Sequence, residues 1–146
     1  PGILLPSGEI NRKALGNIIF NNAEARTFLN QVTHPEILKR CKDLINYYQG
    51  QGRDPIVLDV PLLIESGANA MVEKIWIAYC SKVTQIQRLM TRDGLNYSEA
   101  LKRIEAQMPL EEKVKFADEV INTEGSLEET ENQIKELWFK TFKKEN

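Results

Sequence analysis

The sequence predicts an α/β fold built on part of a parallel sheet. Residues 56–60 and 75–80 are short, almost unbroken apolar runs rich in β-branched or aromatic residues, and 119–121 is a weaker third run. Around them the apolar residues recur at helical spacing. Apolar strands alternating with helices are the pattern of buried parallel strands.

The elements follow in order. Ser7-Gly8 reads as a turn. A helix over 11–20 carries Ala14, Leu15, Ile18 and Ile19 on one face. Asn22 is placed to cap a second helix with Ala25, Phe28, Leu29 and Val32 as its apolar positions. Thr33-His34-Pro35 reads as the start of a third helix, because proline is tolerated in a first turn. Ile37, Cys41, Leu44, Ile45 and Tyr48 continue it, and Gly50 and Gly52 end it. After the strand at 56–60 and the strand at 75–80, a helix over 82–92 ends near Gly94. Asn96 and Glu99 resemble a capping box for a helix reaching Gln107. Pro109 breaks the chain before a short helix over 110–117. Ser126 and Glu129 form a Ser-x-x-Glu box that opens the last helix, expected to bury Leu127, Ile134, Leu137, Trp138 and Phe142. A polar tail, 143–146, closes the chain.

The chain has 146 residues, 42% of them hydrophobic, and 19 basic against 21 acidic groups give a net charge of -2. That balance provides no electrostatic drive towards nucleic acid or anionic membrane. No apolar run approaches the ~20 residues that span a bilayer, and no signal peptide is visible. Cys41 and Cys80 have no metal or redox spacing. Both read as packing residues, and two free thiols suit a reducing cytoplasm.

Four features attract chemical attention. Gln85, Arg88 and Arg92 lie at i, i+3 and i+7, opposite Val83, Ile86, Leu89 and Met90. The spacing fits a solvated helix face, the more common case, or a clamp in which two guanidiniums share a polyphosphate. Asp59 stands near the end of an apolar strand, where an acid can hold Mg²⁺ or hydrogen-bond a neighbouring amide. His34 suits helix capping or a single ligand contact. Glu65 follows a strand, in the kind of loop where open α/β sheets bind ligands, or is a surface charge.

Taken together, the motifs resemble one family. Asp59-Val60-Pro61-Leu62-Leu63-Ile64-Glu65 looks like the strand-to-loop signature of dephospho-coenzyme A kinases. Residues 85–94, with Arg88 and Arg92, resemble that family's lid motif. Ala106-Gln107-Met108-Pro109, Lys113 and 117–122 resemble the stretch after the lid. Gly8 to Phe20 and His34-Pro35 resemble its acceptor-side helices. The resemblance implies a P-loop kinase fold, with 1–54 as the helical acceptor side, 55–81 and 118–146 as parts of the α/β core, and 82–117 as the lid. It implies phosphorylation of the 3′-hydroxyl of dephospho-coenzyme A by ATP, with Mg²⁺ as companion, in the cytoplasm. Arg88 would stabilise the transferring phosphoryl with Arg92 in support. Leu62 and Glu65 would border the acceptor pocket, with His34 near it. Asn122 and Gly125 would lie beside adenine.

The family's phosphate loop, Gly-x-x-x-x-Gly-Lys-Ser/Thr, has no counterpart here, since no glycine is followed by lysine. The resemblance places that loop and the base for the ribose hydroxyl ahead of Pro1. It also places the strand of that loop between 56–60 and 75–80. The chain is therefore expected to be an N-terminally truncated, inactive portion. Its strand at 56–60 is expected to pair with 75–80, with another copy of the chain, or with a missing N-terminal segment. Two other readings are another nucleoside- or nucleotide-type kinase and a non-catalytic binding or assembly module.

Overall fold

In the computed structural model, residues 2–142 are described; Pro1 and the polar tail 143–146 lie outside them. The chain divides into two units, Pro1–Leu44 and Ile45–Asn146.

The first unit opens on a tight hairpin. Gly8, at φ 84°, turns the chain, its amide bonds Leu5 O at 2.9 Å, and Leu4 bridges Ile10 in antiparallel fashion. Asn11 then caps α1 (Arg12–Asn21) by accepting the Ala14 amide at 3.0 Å. Asn22 does the same for Ala25 at 3.0 Å, at the start of α2.

Helix α2 (Ala23–Gly50) corrects the expected break at 33–35: it is continuous, with Pro35 inside it. Proline withholds one amide, so the Gln31 carbonyl loses its i+4 donor. Helix propagation on both sides outweighs that single loss. His34 is thus a mid-helix residue and caps nothing. The helix ends as expected from its glycines. Gly52, at φ 71°, bonds Gln49 O at 2.9 Å and Arg53 bonds Tyr48 O at 3.0 Å. This is a Schellman closure with glycine at its left-handed position.

The second unit holds a parallel pair, β1 (Trp76–Tyr79) and β2 (Glu119–Asn122), in the register Trp76 to Glu119 and Tyr79 to Asn122. The Asp118 carboxylate fixes the entry by accepting the Ile75 amide at 2.8 Å. Between the strands run α3 (Lys82–Asp93), α4 (Tyr97–Glu105) and a short α5 (Leu110–Lys113) continued by a 3₁₀ turn, Val114–Phe116. Gly94 closes α3 at φ 65°. The Asn96–Glu99 box opens α4 with both reciprocal bonds at 2.9 Å. The Ser126–Glu129 box opens α6 (Leu127–Phe142). Helix α6 packs beside β2, and its Phe142 ring sits 4.6 Å from Trp138 and 6.2 Å from Trp76.

Two expectations fail here. Residues 56–60 form no strand. A strand is defined by its ladder, and among the described residues none pairs with this segment; Val57 is 71% exposed. The apolar helix faces are also less covered than their periodicity suggests. Ile86 of α3 is buried, but Val83 faces solvent and Met90 is only partly covered; on α6 Leu127 faces out, and Ile134, Trp138 and Phe142 are only partly covered. Two four-residue strands offer too narrow a surface to bury a whole helix face. Among the described residues the buried apolar ones are Ala68, Cys80, Ile86, Ala100 and Ile121; Cys41 is half-buried, and both thiols are free. No described helix is long and apolar enough to cross a membrane.

Candidate active site

The helix following β1 is positioned by its own first turn. Ser81 caps α3 by accepting the Thr84 amide at 3.2 Å. Glu124, from the loop after β2, accepts both the Ser81 amide and the Thr84 hydroxyl. A carboxylate at a helix N-terminus satisfies orphan amides and meets the positive end of the helix dipole. Those bonds, the Thr84 hydroxyl first and the Ser81 amide next, hold the Glu124 carboxyl below its ordinary pKa. The 122–125 loop is thereby tied to the helix that carries the arginines.

Gln85, Arg88 and Arg92 line one open cavity of about 640 Å³, together with Cys80 and Ile104. The spacing therefore does gather the two arginines on one face. Their guanidiniums are held differently. Arg88 reaches back to the 122–125 loop and donates to Thr123 O and, at 3.4 Å, to Thr123 Oγ1. Arg92 forms a two-pronged pair with Asp93 at 2.8 and 3.1 Å. Asp93 is shared with Arg103 at 2.7 Å. The pairing raises the Arg92 pKa and lowers that of Asp93, with the Arg92 hydrogen bond as the leading cause.

The 122–125 loop is fixed from the α6 side. The Gln133 side chain exchanges two hydrogen bonds with the Asn122 backbone, at 2.9 and 2.8 Å. The Asn122 side chain accepts the Glu124 amide at 2.9 Å. Gly125 leaves room for Glu129, whose Oε2 lies 2.0 Å from where a Cβ would stand. The turn after residue 60 is a separate construction. Leu62 is half-buried in it, and its carbonyl accepts the Ser66 amide at 2.9 Å. Glu65 does not face open space: its Oε1 pairs with Lys113 Nζ at 2.8 Å and accepts the Met108 amide at 3.1 Å.

Asp59 is exposed. Among the described residues no three His, Cys, Asp or Glu side chains gather as a metal group. A single carboxylate completed by phosphates and water is nevertheless a donor set that Mg²⁺ accepts. His34 is half-buried within α2, in the first unit.

Sequence reasoning missed Lys113 as a buried partner and Glu124 as the tie between loop and helix. Lys113 stands in the charged run Glu111-Glu112-Lys113, which reads as surface. Glu124 stands in a Thr-Glu-Gly-Ser turn, which reads as loop.

The geometry meets known proteins at this point. A family model described as dephospho-CoA kinase matches residues 1–129. A dephospho-CoA kinase of Carboxydothermus hydrogenoformans is 49% identical over 132 residues, 90% of this chain and 64% of that protein. That of Geobacter sulfurreducens is 45% identical over 141 residues, 97% of this chain and 72% of its own length. Among solved structures, one from Thermus thermophilus superposes with a TM-score of 0.68 at 31% identity, over 96% of this chain and 72% of that one. A dephospho-CoA kinase from Campylobacter jejuni does so at 0.58 and 32%, over 92% and 69%. The chain spans roughly two thirds of the length of the relatives it matches, 64% of the first. With matches of this extent in both sequence and fold, the chain belongs to the dephospho-CoA kinase family.

Proposed function

We propose that this chain carries the lid and acceptor-side parts of an enzyme that transfers the γ-phosphoryl group of ATP to the 3′-hydroxyl of dephospho-coenzyme A. Family membership over residues 1–129 carries the reaction. The meeting of Arg88 with the 122–125 loop supports the roles.

Phosphoryl transfer asks a protein chiefly for positioning and charge neutralisation. Arg88 is the residue assigned to the transferring phosphoryl. Its planar fork, now directed at Thr123, offers the parallel N–H donors that phosphate oxygens take. Arg92 adds charge in the same cavity, tempered by its pairing with Asp93. Asn122 and Gly125 are assigned to the adenine side, where the loop is already braced by Gln133 and Glu124. Leu62 borders the acceptor, and His34 is assigned to the substrate by resemblance alone. Mg²⁺ would be held by Asp59 and by the phosphates of ATP, and would neutralise charge on them. The Gly-Lys phosphate loop has no counterpart in this sequence, and the resemblance places the base for the hydroxyl in the same part of the fold.

The acceptor is tested by competition. Dephospho-coenzyme A should bind the chain and displace nucleoside monophosphates. Preference for a nucleoside monophosphate would instead support another P-loop kinase.

A further inference from the structure

Glu65, expected at the border of the acceptor, is one half of a charged pair whose other half, Lys113, has no part in the roles above. Lys113 is 6% exposed and is the buried charged residue among those described. Its Nζ lies 2.8 Å from Glu65 Oε1 and donates to Pro61 O at 2.9 Å. Glu65 Oε1 also accepts the Met108 amide at 3.1 Å. Glu65 Oε2 is enclosed and has no hydrogen-bond partner among the described residues. A carboxylate and an ammonium out of water are tolerated only while each has the other, and removing one leaves an uncompensated charge.

The pair joins two pieces of chain far apart in sequence. On one side is the turn after residue 60, held by the bonds Leu63 N to Val60 O, Ser66 N to Leu62 O and Gly67 N to Ile64 O. On the other is the 108–113 segment, with Pro109 as the cap of α5. Lys113 grips the first carbonyl of the turn while Glu65, from its far end, grips Lys113 and the Met108 amide. The turn is pinned at both ends to one lysine. That segment lines a second cavity of about 270 Å³, which includes Gln85 of α3, Gln107, Met108 and Lys113.

We infer that Glu65 and Lys113 are a positioning pair: they set the turn that presents Leu62 to the acceptor against the base of the lid, and Glu65 acts through Lys113 rather than by touching the acceptor. The inference rests on the proposed function for the acceptor and on geometry alone for the pinning.

The test compares the parent chain with Glu65→Gln, Lys113→Met, the double variant, and Ser126→Ala as a control that loses a helix cap elsewhere. Amide hydrogen exchange is followed at Leu63, Ser66 and Gly67, and dephospho-coenzyme A affinity by calorimetry. Both single pair variants should speed exchange at the three amides by about tenfold or more. The double variant should be no faster than the faster single, because both remove one interaction. Ser126→Ala should leave these amides unchanged. Both pair variants should also weaken dephospho-coenzyme A binding by about tenfold, through a shared loss of geometry. Should Lys113→Met fail to fold, Glu65→Gln, which keeps an acceptor for the Met108 amide, carries the comparison. Unchanged exchange in the pair variants, or an equal change in Ser126→Ala, overturns the pinning. Normal affinity in both variants overturns the link to the acceptor. A parent that does not bind dephospho-coenzyme A refutes the proposed acceptor, while the exchange data still judge the pair.

Discussion

Arg88→Lys separates charge from geometry at the arginine cavity. Both side chains carry one positive charge, so long-range attraction for a polyphosphate survives. What changes is the donor set. The guanidinium of Arg88 addresses two oxygens of Thr123 at once, a fork that a single ammonium cannot copy. If the same fork closes on the phosphoryl group in the transition state, lysine forfeits about one well-aligned donor there. Loss of one such donor in a preorganised site costs about 2.7–4 kcal/mol, or 10²–10³ in turnover. ATP binding, a ground-state property dominated by the phosphate loop, should change by less than about threefold. The assay is steady-state ADP release with saturating dephospho-coenzyme A. It is run in a chimera that supplies the family's phosphate loop ahead of residue 1. Turnover within about twofold of the parent, under 0.5 kcal/mol, would sink the assigned role. A matching rise in KM for ATP with unchanged turnover would mark Arg88 as a binding residue only.

Three further outcomes are expected. The 146-residue chain alone should convert no dephospho-coenzyme A above a no-protein control, since it contains no Gly-Lys phosphate loop; any ATP-dependent product contradicts this. Ile121→Ala, at a 7% exposed site on β2, should cost about 2–5 kcal/mol in urea unfolding; a loss below about 1 kcal/mol would mean that β2 bounds no core. Glu124, Asp118 and Glu129 are each held below their ordinary pKa, by the Thr84 hydroxyl, the Ile75 amide and the Ser126 amide foremost. A depressed carboxyl stabilises the fold above its unfolded value and ceases to as the pH falls through the folded one. Thermal stability should therefore decline as the pH drops below about 4, and Glu124→Gln should flatten that decline; an acid profile identical to the parent's would remove Glu124 from the account.

The sequence made the local signals legible and left the long-range ones hidden. Asn22, Asn96 and Ser126 announce helix starts because a cap is a contact within three residues. Gly52 and Gly94 announce helix ends because a left-handed residue favours glycine. The face shared by Arg88 and Arg92 follows from helix geometry. Which group Arg88 meets does not, because Thr123 lies 35 residues away. Lys113 lies 52 residues from Pro61, and no spacing rule reaches that far. Pro35 reads as a boundary because its local cost is real, while the turns that carry the helix past it are a cooperative property of the whole segment.

The segment 56–60 shows the same divide from the other side. Its composition is that of a central strand, yet it makes no ladder and exposes Val57 at 71%. Strand β1 pairs with β2 along one edge, and among the described residues nothing pairs along the other. Parallel strands are stable when covered on both faces and flanked, and two strands alone are marginal. An unpaired apolar segment and an unpaired strand edge in the same unit would both be satisfied by one further strand. On the proposed reading that strand is the one carrying the phosphate loop, the element the sequence lacks. The exposed apolar faces of α3 and α6 fit the same account, because helices flanking a sheet are covered only where strands extend beneath them. The deficit in chemistry and the deficit in core are then one deficit. On that reading, a strand bearing the loop that binds ATP would also complete the sheet that holds Arg88 and the 122–125 loop in place.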